Sequence, residues 1–193
     1  HLSIRRQRQM CIRDRAEVPI VVDPVMVAKG GHPLIDRDAV HLVRQHFLLS
    51  ARIATPNIPE AEVLTGMEIR SLEDMKHAAE IMMTLGCQAV LLKGGHLPGK
   101  DIYDVLCDET GVEVFQDRRI ETVHTHGTGC TLASAIATSL AQRLSLRDAV
   151  VRARTYVRNA ILTAPGLGKG HGPLNHLHTV RSYHPERPAR RRL

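Results

Sequence analysis

The stretch "HTHGTGCTLASAIATSLAQRL", residues 124–144, joins a glycine-threonine loop to an apolar, alanine-rich run. Aliphatic residues recur every four positions in this run and predict a helix: Leu132, Ile136 and Leu140. The helix then begins beside Gly127, Thr128 and Gly129, where the first N–H groups lack intrahelical partners and carry partial positive charge. Such a helix end attracts anions and favours the thiolate form of a thiol. Cys130 is therefore either a base or nucleophile beside a bound anion, or a small residue buried at a tight turn.

Three short apolar runs upstream of this stretch predict strands that end in loops. They are "VPIVV" (18–22), "RIATPN" (52–57) and "QAVLLKGG" (88–95). Predicted helices separate them. Buried strands that alternate with amphipathic helices indicate an α/β fold with a mostly parallel central sheet flanked by helices. In such sheets, ligands bind beyond the carboxyl ends of the strands.

The remaining segments have helical or hairpin patterns with recognisable end signals. In chain order the predicted elements are a helix over 36–48, a helix over 59–65, a helix from Ser71 to Gly86, a hairpin of 102–107 with 112–117, and a last helix capped by Ser145. Four apolar residues of the third helix have helical spacing and are predicted to face the core: Met75, Ala78, Ala79 and Met82.

Polar residues follow each of the three predicted strands, and each has two interpretations. Asp23 is either a carboxylate of a metal or phosphate site or a turn former. Asn57 and Glu60 either hold a hydrated Mg²⁺ near phosphates or form a helix-capping box. Lys93 either contacts phosphate oxygens or extends its ammonium group to the surface.

Histidines near Cys130 raise the alternative of a metal site. The candidate nitrogen ligands are His124, His126, His171, His176 and His178. Their spacing matches no zinc signature, and the glycine-rich turn suits an anion better than a tetrahedral metal ion.

Composition and charge exclude several classes of protein. The net charge of +6 comes from arginines at the two ends, so the body of the chain is near neutral, and only 3% of residues are aromatic. We therefore expect no nucleic-acid partner. No run has the length of a membrane span, and four cysteines without paired spacing fit a reducing cytosol. The expectation is a cytoplasmic protein without a membrane partner.

Four motifs occur in a characteristic order: "VVDPVM", "TPNIPEAEVLTG", "VLLKGGH" and "HTHGTGCTLASAIA". Together they resemble the hydroxymethylpyrimidine kinase / phosphomethylpyrimidine kinase family of thiamine biosynthesis, which is ribokinase-like, and the resemblance runs from about Pro19 to His178. It implies ATP as co-substrate, Mg²⁺ as cofactor and a small-molecule pyrimidine acceptor. The implied reaction is phosphorylation of 4-amino-5-hydroxymethyl-2-methylpyrimidine and then of its monophosphate.

The resemblance also implies roles for individual residues. The Gly127-Thr128-Gly129 turn would be the anion hole for the transferring phosphoryl group. Cys130 would be the base that takes the proton of the acceptor hydroxyl, and Val25 would line the pyrimidine pocket. The remaining implied roles are contact with the ATP phosphates by Lys93, and placement of Mg²⁺, chiefly through water, by Asn57, Glu60 and Asp23.

The sequence departs from the family pattern at its beginning. The glycine-rich segment of the form GxDPSGGAG, and the strands that follow it in the family, are not found here. We therefore expect a ribokinase-like domain over 16–180 that lacks its N-terminal strands. A leader over 1–15, interpreted as foreign to the family, would precede it, and a basic tail over 181–193 would follow.

Two other functions remain open on the sequence. A pyridoxal kinase of the same superfamily also phosphorylates a hydroxymethyl group on an aromatic nitrogen ring. A nucleotide-binding fragment without turnover is the other alternative. The resemblance further implies a homodimer.

Overall fold

The computed structural model of the protein describes residues 18–26, 34 and 37–180. The predicted leader over 1–15 and the predicted tail over 181–193 lie outside these residues. The elements are β1 (Val21–Val22), α1 (Arg37–Leu42) continued by a π-helical segment (Val43–Leu48), β2 (Ile53–Ala54), α2 (Ile58–Thr65), α3 (Leu72–Thr84), β3 (Ala89–Lys93), β4 (Asp101–Asp108), β5 (Gly111–Arg118), α4 (Thr128–Ala141) and α5 (Leu146–Leu162). Each predicted strand and helix within the described residues has its counterpart here.

The five strands form one sheet in the order β1-β2-β3-β4-β5. β1 pairs parallel with β2, and β2 pairs parallel with β3, as expected for strands joined by helices. The hairpin of β4 and β5 then adds two antiparallel pairings at the other side of β3. The sheet is therefore mixed: the segment predicted to be parallel is parallel, and the predicted hairpin extends the same sheet.

The sheet separates two hydrophobic cores, because successive residues of a strand point to opposite faces. Val90 and Leu92 of β3 belong to the core that includes α2 and α3, whereas Ala89 and Leu91 belong to the core beneath α4 and α5. The four apolar residues predicted for α3 are all fully buried in the first core: Met75, Ala78, Ala79 and Met82.

The helices differ in how they begin. α2, α3 and α5 each start with a side-chain oxygen, from Asn57, Ser71 and Ser145 respectively, that accepts a hydrogen bond from the backbone three residues later. α4 starts instead at Gly127, which has a left-handed φ of 82° and no capping side chain. Its first N–H groups are therefore left for another partner. None of the described helices is both long and apolar enough to cross a membrane.

Candidate active site

The candidate site lies where β1, β2 and β3 end side by side. Asp23 follows β1, and Lys93 is the last residue of β3. The Lys93 Nζ atom donates to Asp23 Oδ1 at 2.9 Å, and the two side chains are only 16% and 14% exposed. Thr55, fully buried after β2, donates its hydroxyl to the same Asp23 oxygen at 3.0 Å. The three strand ends are therefore joined by one carboxylate.

Asn57 and Glu60 form a reciprocal capping box at the start of α2. The Asn57 Oδ1 atom accepts from the Glu60 N–H at 2.9 Å, and the Glu60 Oε2 atom accepts from the Asn57 N–H at 2.8 Å. Asn57 also forms a parallel bridge with Lys93, so the box stands directly beside the ion pair. The capping interpretation is thus correct, and the same two residues still face the cleft described below.

Glu60 is a carboxylate in an unusual environment. Its side chain is 3% exposed. Burial raises the pKa of Glu60 above the ordinary value, and the negative charge of Asp23 adds to this, although the Asn57 hydrogen bond and the Lys93 ammonium oppose it. A cation in the cleft would favour the ionised form of Glu60.

The glycine turn at the start of α4 lies over the ion pair. A Cβ atom on Gly129 would stand 3.2 Å from Lys93 Nζ and 3.5 Å from Asp23 Oδ2. A side chain at residue 129 would therefore be tight against the Lys93 ammonium group and in ordinary contact with Asp23. The Thr131 hydroxyl donates to the Gly127 carbonyl at 2.7 Å and the Thr128 hydroxyl to the Thr125 carbonyl at 3.2 Å, which hold the turn in place.

One cleft of about 910 Å³ contains all the sequence-predicted site residues. They are Asp23, Val25, Asn57, Glu60, Lys93, Gly127, Thr128, Gly129 and Cys130. Val25 is 49% exposed, and the Cys130 thiol is exposed, whereas Cys87 and Cys107 are buried. Cys130 is therefore not a small residue buried at the turn, and its role as a base or nucleophile stays a prediction.

A second cleft, of about 560 Å³, lies on the other side of the glycine turn. Its wall combines apolar side chains with charged ones of both signs: Ile102, Leu132, Val157 and Ile161, with Arg118, Arg119, Arg154, Arg158, Asp104, Asp117 and Glu121. Five residues line both clefts: Lys93, His96, Thr125, Thr128 and Gly129. These residues therefore form a shared wall between the two clefts.

The oxygen donors of the first cleft fit a hydrated Mg²⁺ ion. Within residues 18–26 and 37–180, no three His, Cys, Asp or Glu side chains come together as a metal cage. Asp23, Glu60 and the amide of Asn57 supply hard oxygen atoms along one wall. Magnesium characteristically takes one or two carboxylates, keeps several waters and uses substrate phosphates for the rest.

Several histidines near the turn have structural contacts. His171 Nδ1 lies 3.0 Å from the Val123 carbonyl, and His178 Nδ1 lies 2.8 Å from the Asn175 carbonyl. His124 packs so closely beneath the loop around Gly172 that a Cβ on this glycine would collide with its ring. These contacts tie the last described residues to the segment that precedes the glycine turn.

The structure also identifies neighbouring residues that sequence reasoning missed. Thr55 could have been identified from the sequence, because it is the hydroxyl residue at the end of the predicted strand in "RIATPN". Arg119 gave no signal in the sequence, yet its guanidinium donates to the carbonyls of Gly95, Leu97 and Gly99 at 2.6–3.0 Å and holds the loop after β3. The ion pair of Asp104 and Arg154 was missed as well.

Comparisons with known proteins identify the family of the chain. A family profile described as phosphomethylpyrimidine kinase matches residues 4–175. The match begins inside the segment 1–15 that is predicted to be foreign to the family, so the boundary at residue 15 stays a prediction. The chain is 53% identical over 158 residues to the thiamine biosynthesis bifunctional protein ThiED of Geobacter sulfurreducens, covering 82% of this chain and 32% of that protein.

A second curated relative is the hydroxymethylpyrimidine/phosphomethylpyrimidine kinase of Bacillus subtilis, which is 44% identical over 158 residues, or 81% of this chain and 58% of the relative. The chain therefore spans about a third of the first relative and under three fifths of the second.

The chain is also similar to solved structures of kinases. An ADP complex of Bacillus subtilis pyridoxal kinase superposes with a TM-score of 0.80 at 32% identity, over 92% of this chain and 67% of that one. Phosphomethylpyrimidine kinase from Clostridium difficile superposes with a TM-score of 0.67 at 36% identity, over 78% of this chain and 60% of that one. These neighbours confirm the ribokinase-like α/β fold. By the profile match and the curated relatives together, the chain belongs to the phosphomethylpyrimidine kinase family.

Proposed function

We propose that this chain carries the catalytic and nucleotide-binding residues of an ATP- and Mg²⁺-dependent kinase. Its acceptors are 4-amino-5-hydroxymethyl-2-methylpyrimidine and then the monophosphate of that compound, as in thiamine biosynthesis. The observation that carries the proposal is the close approach of Gly129 to the Lys93–Asp23 pair, with the exposed Cys130 next to it. This arrangement combines anion binding with a group able to accept a proton.

In the proposed mechanism, binding of the phosphates depends on the shared wall between the two clefts. The unpartnered N–H groups at the start of α4 point at anions, and the Gly127-Thr128-Gly129 turn is the anion hole for the transferring phosphoryl group. Lys93 neutralises phosphate oxygens from the opposite side. Mg²⁺, bound near Asp23, Asn57 and Glu60, would supply further neutralisation of phosphate charge.

Cys130 is the proposed base. As the thiolate, its Sγ atom accepts the proton of the acceptor hydroxymethyl group while the hydroxyl oxygen bonds to the γ-phosphorus atom and the bond from that phosphorus to the bridging oxygen of ADP breaks. Most of the acceleration comes from positioning and charge stabilisation, as phosphoryl transfer requires. The exposure of Cys130 in the same cleft as Val25 supports this role, since Val25 is the proposed pyrimidine contact.

The second cleft is the proposed site of the adenine ring, because it offers apolar side chains on part of its wall. A base held between Ile102, Leu132 and Val157 would direct the phosphates toward Lys93 and Gly129, which both clefts share. The acceptor would then approach from the first cleft, on the Cys130 side.

A pyridoxal kinase is the second candidate. It is favoured by the TM-score of 0.80 with a pyridoxal kinase, against 0.67 with a phosphomethylpyrimidine kinase. The curated relatives, with identities of 44% and 53%, favour the pyrimidine acceptor. We therefore propose the pyrimidine, and not pyridoxal, as the acceptor.

The proposal extends to compartment and assembly. We propose a reducing, cytoplasmic location, because Cys87, Cys107 and Cys130 are free thiols. We also propose a homodimer, which sedimentation velocity on the purified chain would test.

The decisive experiment measures ATP-dependent phosphorylation of hydroxymethylpyrimidine, its monophosphate and pyridoxal by the full chain. A second arm adds the N-terminal segment of a family member. We expect transfer to the pyrimidines, and a fall of about 10²- to 10⁴-fold in kcat for Cys130→Ala with unchanged ADP affinity. Ser134→Ala, one turn along α4 in an exposed position, is the matched control and should be neutral.

Each outcome selects one function. Transfer to pyridoxal alone would replace the pyrimidine assignment. ADP binding without transfer in either arm would leave a nucleotide-binding protein. Full activity of Cys130→Ala would remove Cys130 as the base.

A further inference from the structure

We propose that Asp104 and Arg154 are positioning residues that hold Lys93 where its ammonium group can contact a bound phosphate. This inference rests on the proposed function, because it concerns the same lysine. Asp104 lies on β4 directly opposite Lys93 in the antiparallel register. Its Oδ1 atom accepts the backbone N–H of Gly94, the residue after Lys93, at 3.1 Å. One carboxylate thus fixes the point at which β3 ends.

Arg154 in turn fixes that carboxylate. Its Nε atom donates to Asp104 Oδ2 at 2.8 Å, and the two side chains are only 13% and 14% exposed. The same guanidinium donates through Nη2 to Asp117 Oδ2 at 2.8 Å and lies 4.8 Å from the ring centre of Phe115. Two ion pairs and a ring contact leave the arginine a single orientation.

Close packing restricts the position of the backbone at Gly94, directly after Lys93. A Cβ on Gly94 would collide with the Tyr103 carbonyl and would lie 2.9 Å from the Met75 methyl group. On the other side, the Lys93 N–H donates to the Pro56 carbonyl at 2.8 Å. The position of β3 at its end is therefore set by packing on one side and by the Asp104 hydrogen bond at the bend.

Lys93 itself tolerates little displacement. Its Nζ atom is held 2.9 Å from Asp23, and the backbone of Gly129 passes just above. A small shift of the strand end would move the ammonium group away from a phosphate bound at the glycine turn. The three-residue chain from Arg154 through Asp104 to Gly94 prevents that shift.

The test is calorimetric titration of the full chain with MgADP, which needs no acceptor. The diagnostic variant is Asp104→Asn, because its amide has one acceptor oxygen and cannot serve both the Gly94 N–H and the Arg154 Nε–H. We expect ADP affinity to fall about fivefold to tenfold, and Arg154→Lys, which lacks the planar fork, to show a similar loss.

Arg147→Gln is the matched control. Arg147 also joins α5 to the hairpin, through three hydrogen bonds to Glu113 at 2.7–3.0 Å, and Glu113 lies away from the Lys93 end of the hairpin, opposite Leu106 in the register. We expect its ADP affinity to match that of the parent chain. Thermal unfolding of each variant, recorded without nucleotide, identifies any chain that fails to fold.

A double-mutant cycle separates positioning from general stability. If Asp104 acts through Lys93, then Asp104→Asn should have little further effect on ADP affinity in a Lys93→Met background. Additive losses, or unchanged affinity in both Asp104→Asn and Arg154→Lys, would overturn the positioning role while leaving the proposed function intact. Absence of ADP binding by the parent chain would overturn both.

Discussion

Gly129 is the residue on which the site depends most directly, because it allows the α4 backbone to reach two charged groups. A methyl group at this position would stand 3.2 Å from Lys93 Nζ. We therefore expect Gly129→Ala to displace the ammonium group or the turn, and to weaken MgADP binding by about tenfold or more. Calorimetric titration measures the effect directly.

Gly170 is the control for that substitution. It also lies in a glycine-rich loop, and a Cβ at this position would meet nothing within 4 Å. Gly170→Ala should bind MgADP as the parent chain does. Equal affinity of Gly129→Ala and Gly170→Ala would show that Lys93 and the turn adapt to a side chain.

Glu60 gives the site a pH dependence of definite sign. Burial raises the pKa of Glu60 in the folded protein. The protonated form is therefore favoured by folding, so this residue contributes stability below its ordinary pKa of 4.5, and the contribution is lost as the pH rises through the raised value. Above the raised pKa, the cost of burying the ionised carboxylate lowers the stability of the folded chain.

Glu60→Gln tests this sign, because the amide oxygen can still accept the Asn57 N–H. The variant should have the higher unfolding midpoint at pH 7, and its advantage should shrink as the pH falls through the raised pKa of Glu60. Thermal unfolding of both chains from pH 7 downward measures the difference. An advantage that grows in acid would contradict the assignment.

The elements show how local signals begin a helix. α3 starts at a Ser71 side chain that accepts the Asp74 N–H at 3.1 Å. Ser71→Ala leaves that N–H without its partner, and we expect a loss of about 1 kcal/mol in the free energy of unfolding. Chemical denaturation measures it, and Ser71→Thr, which keeps the hydroxyl, should lose much less. A neutral Ser71→Ala would mean that water replaces the cap.

Elements with strong local patterns were predictable from the sequence. The helical period of α3 and α5 identified their buried faces, and "DETG" marked the hairpin. The helix predicted over 36–48 is present from Arg37, but its second half is π-helical, which apolar spacing does not distinguish from an α-helix. The predicted strand over 18–22 shortens to Val21–Val22, since ends of short strands have little pattern of their own.

The clustering of the candidate site residues was predictable from the sequence, whereas the contacts that support them were not; their roles stay a prediction. Asp23, Asn57 and Lys93 follow apolar runs, so their position at one sheet edge follows from the fold class. The Asp104–Arg154 pair joins positions 50 residues apart, on a hairpin strand and a late helix. No local spacing identifies such a pair, because each of the two charged residues, taken alone, is typical of an exposed position.

At the scale of the whole molecule, the sheet carries a core on each face. Leu64 belongs to the core beneath α2 and α3, and Ile136 to the core beneath α4. Both are fully buried, so Leu64→Ala and Ile136→Ala should each lower the free energy of unfolding by about 2–5 kcal/mol. Denaturant titration of the full chain measures both.

Leu162, which is 57% exposed at the end of α5, is the control. Leu162→Ala should change the free energy of unfolding by less than about 0.5 kcal/mol. A small loss in either core variant would contradict the prediction and would mean that the surrounding core collapses around the missing atoms.

The order of the site along the chain has a consequence for synthesis. The Asp23–Lys93 pair spans 70 residues, and the glycine turn that lies over it comes later still. A ribosome releases the chain from its N-terminus. A nascent chain therefore has no complete candidate site until α4 has left the exit tunnel. On the proposed function, we expect nucleotide to bind only a chain whose sheet is already assembled, and not to assist the pairing of β1, β2 and β3 during translation.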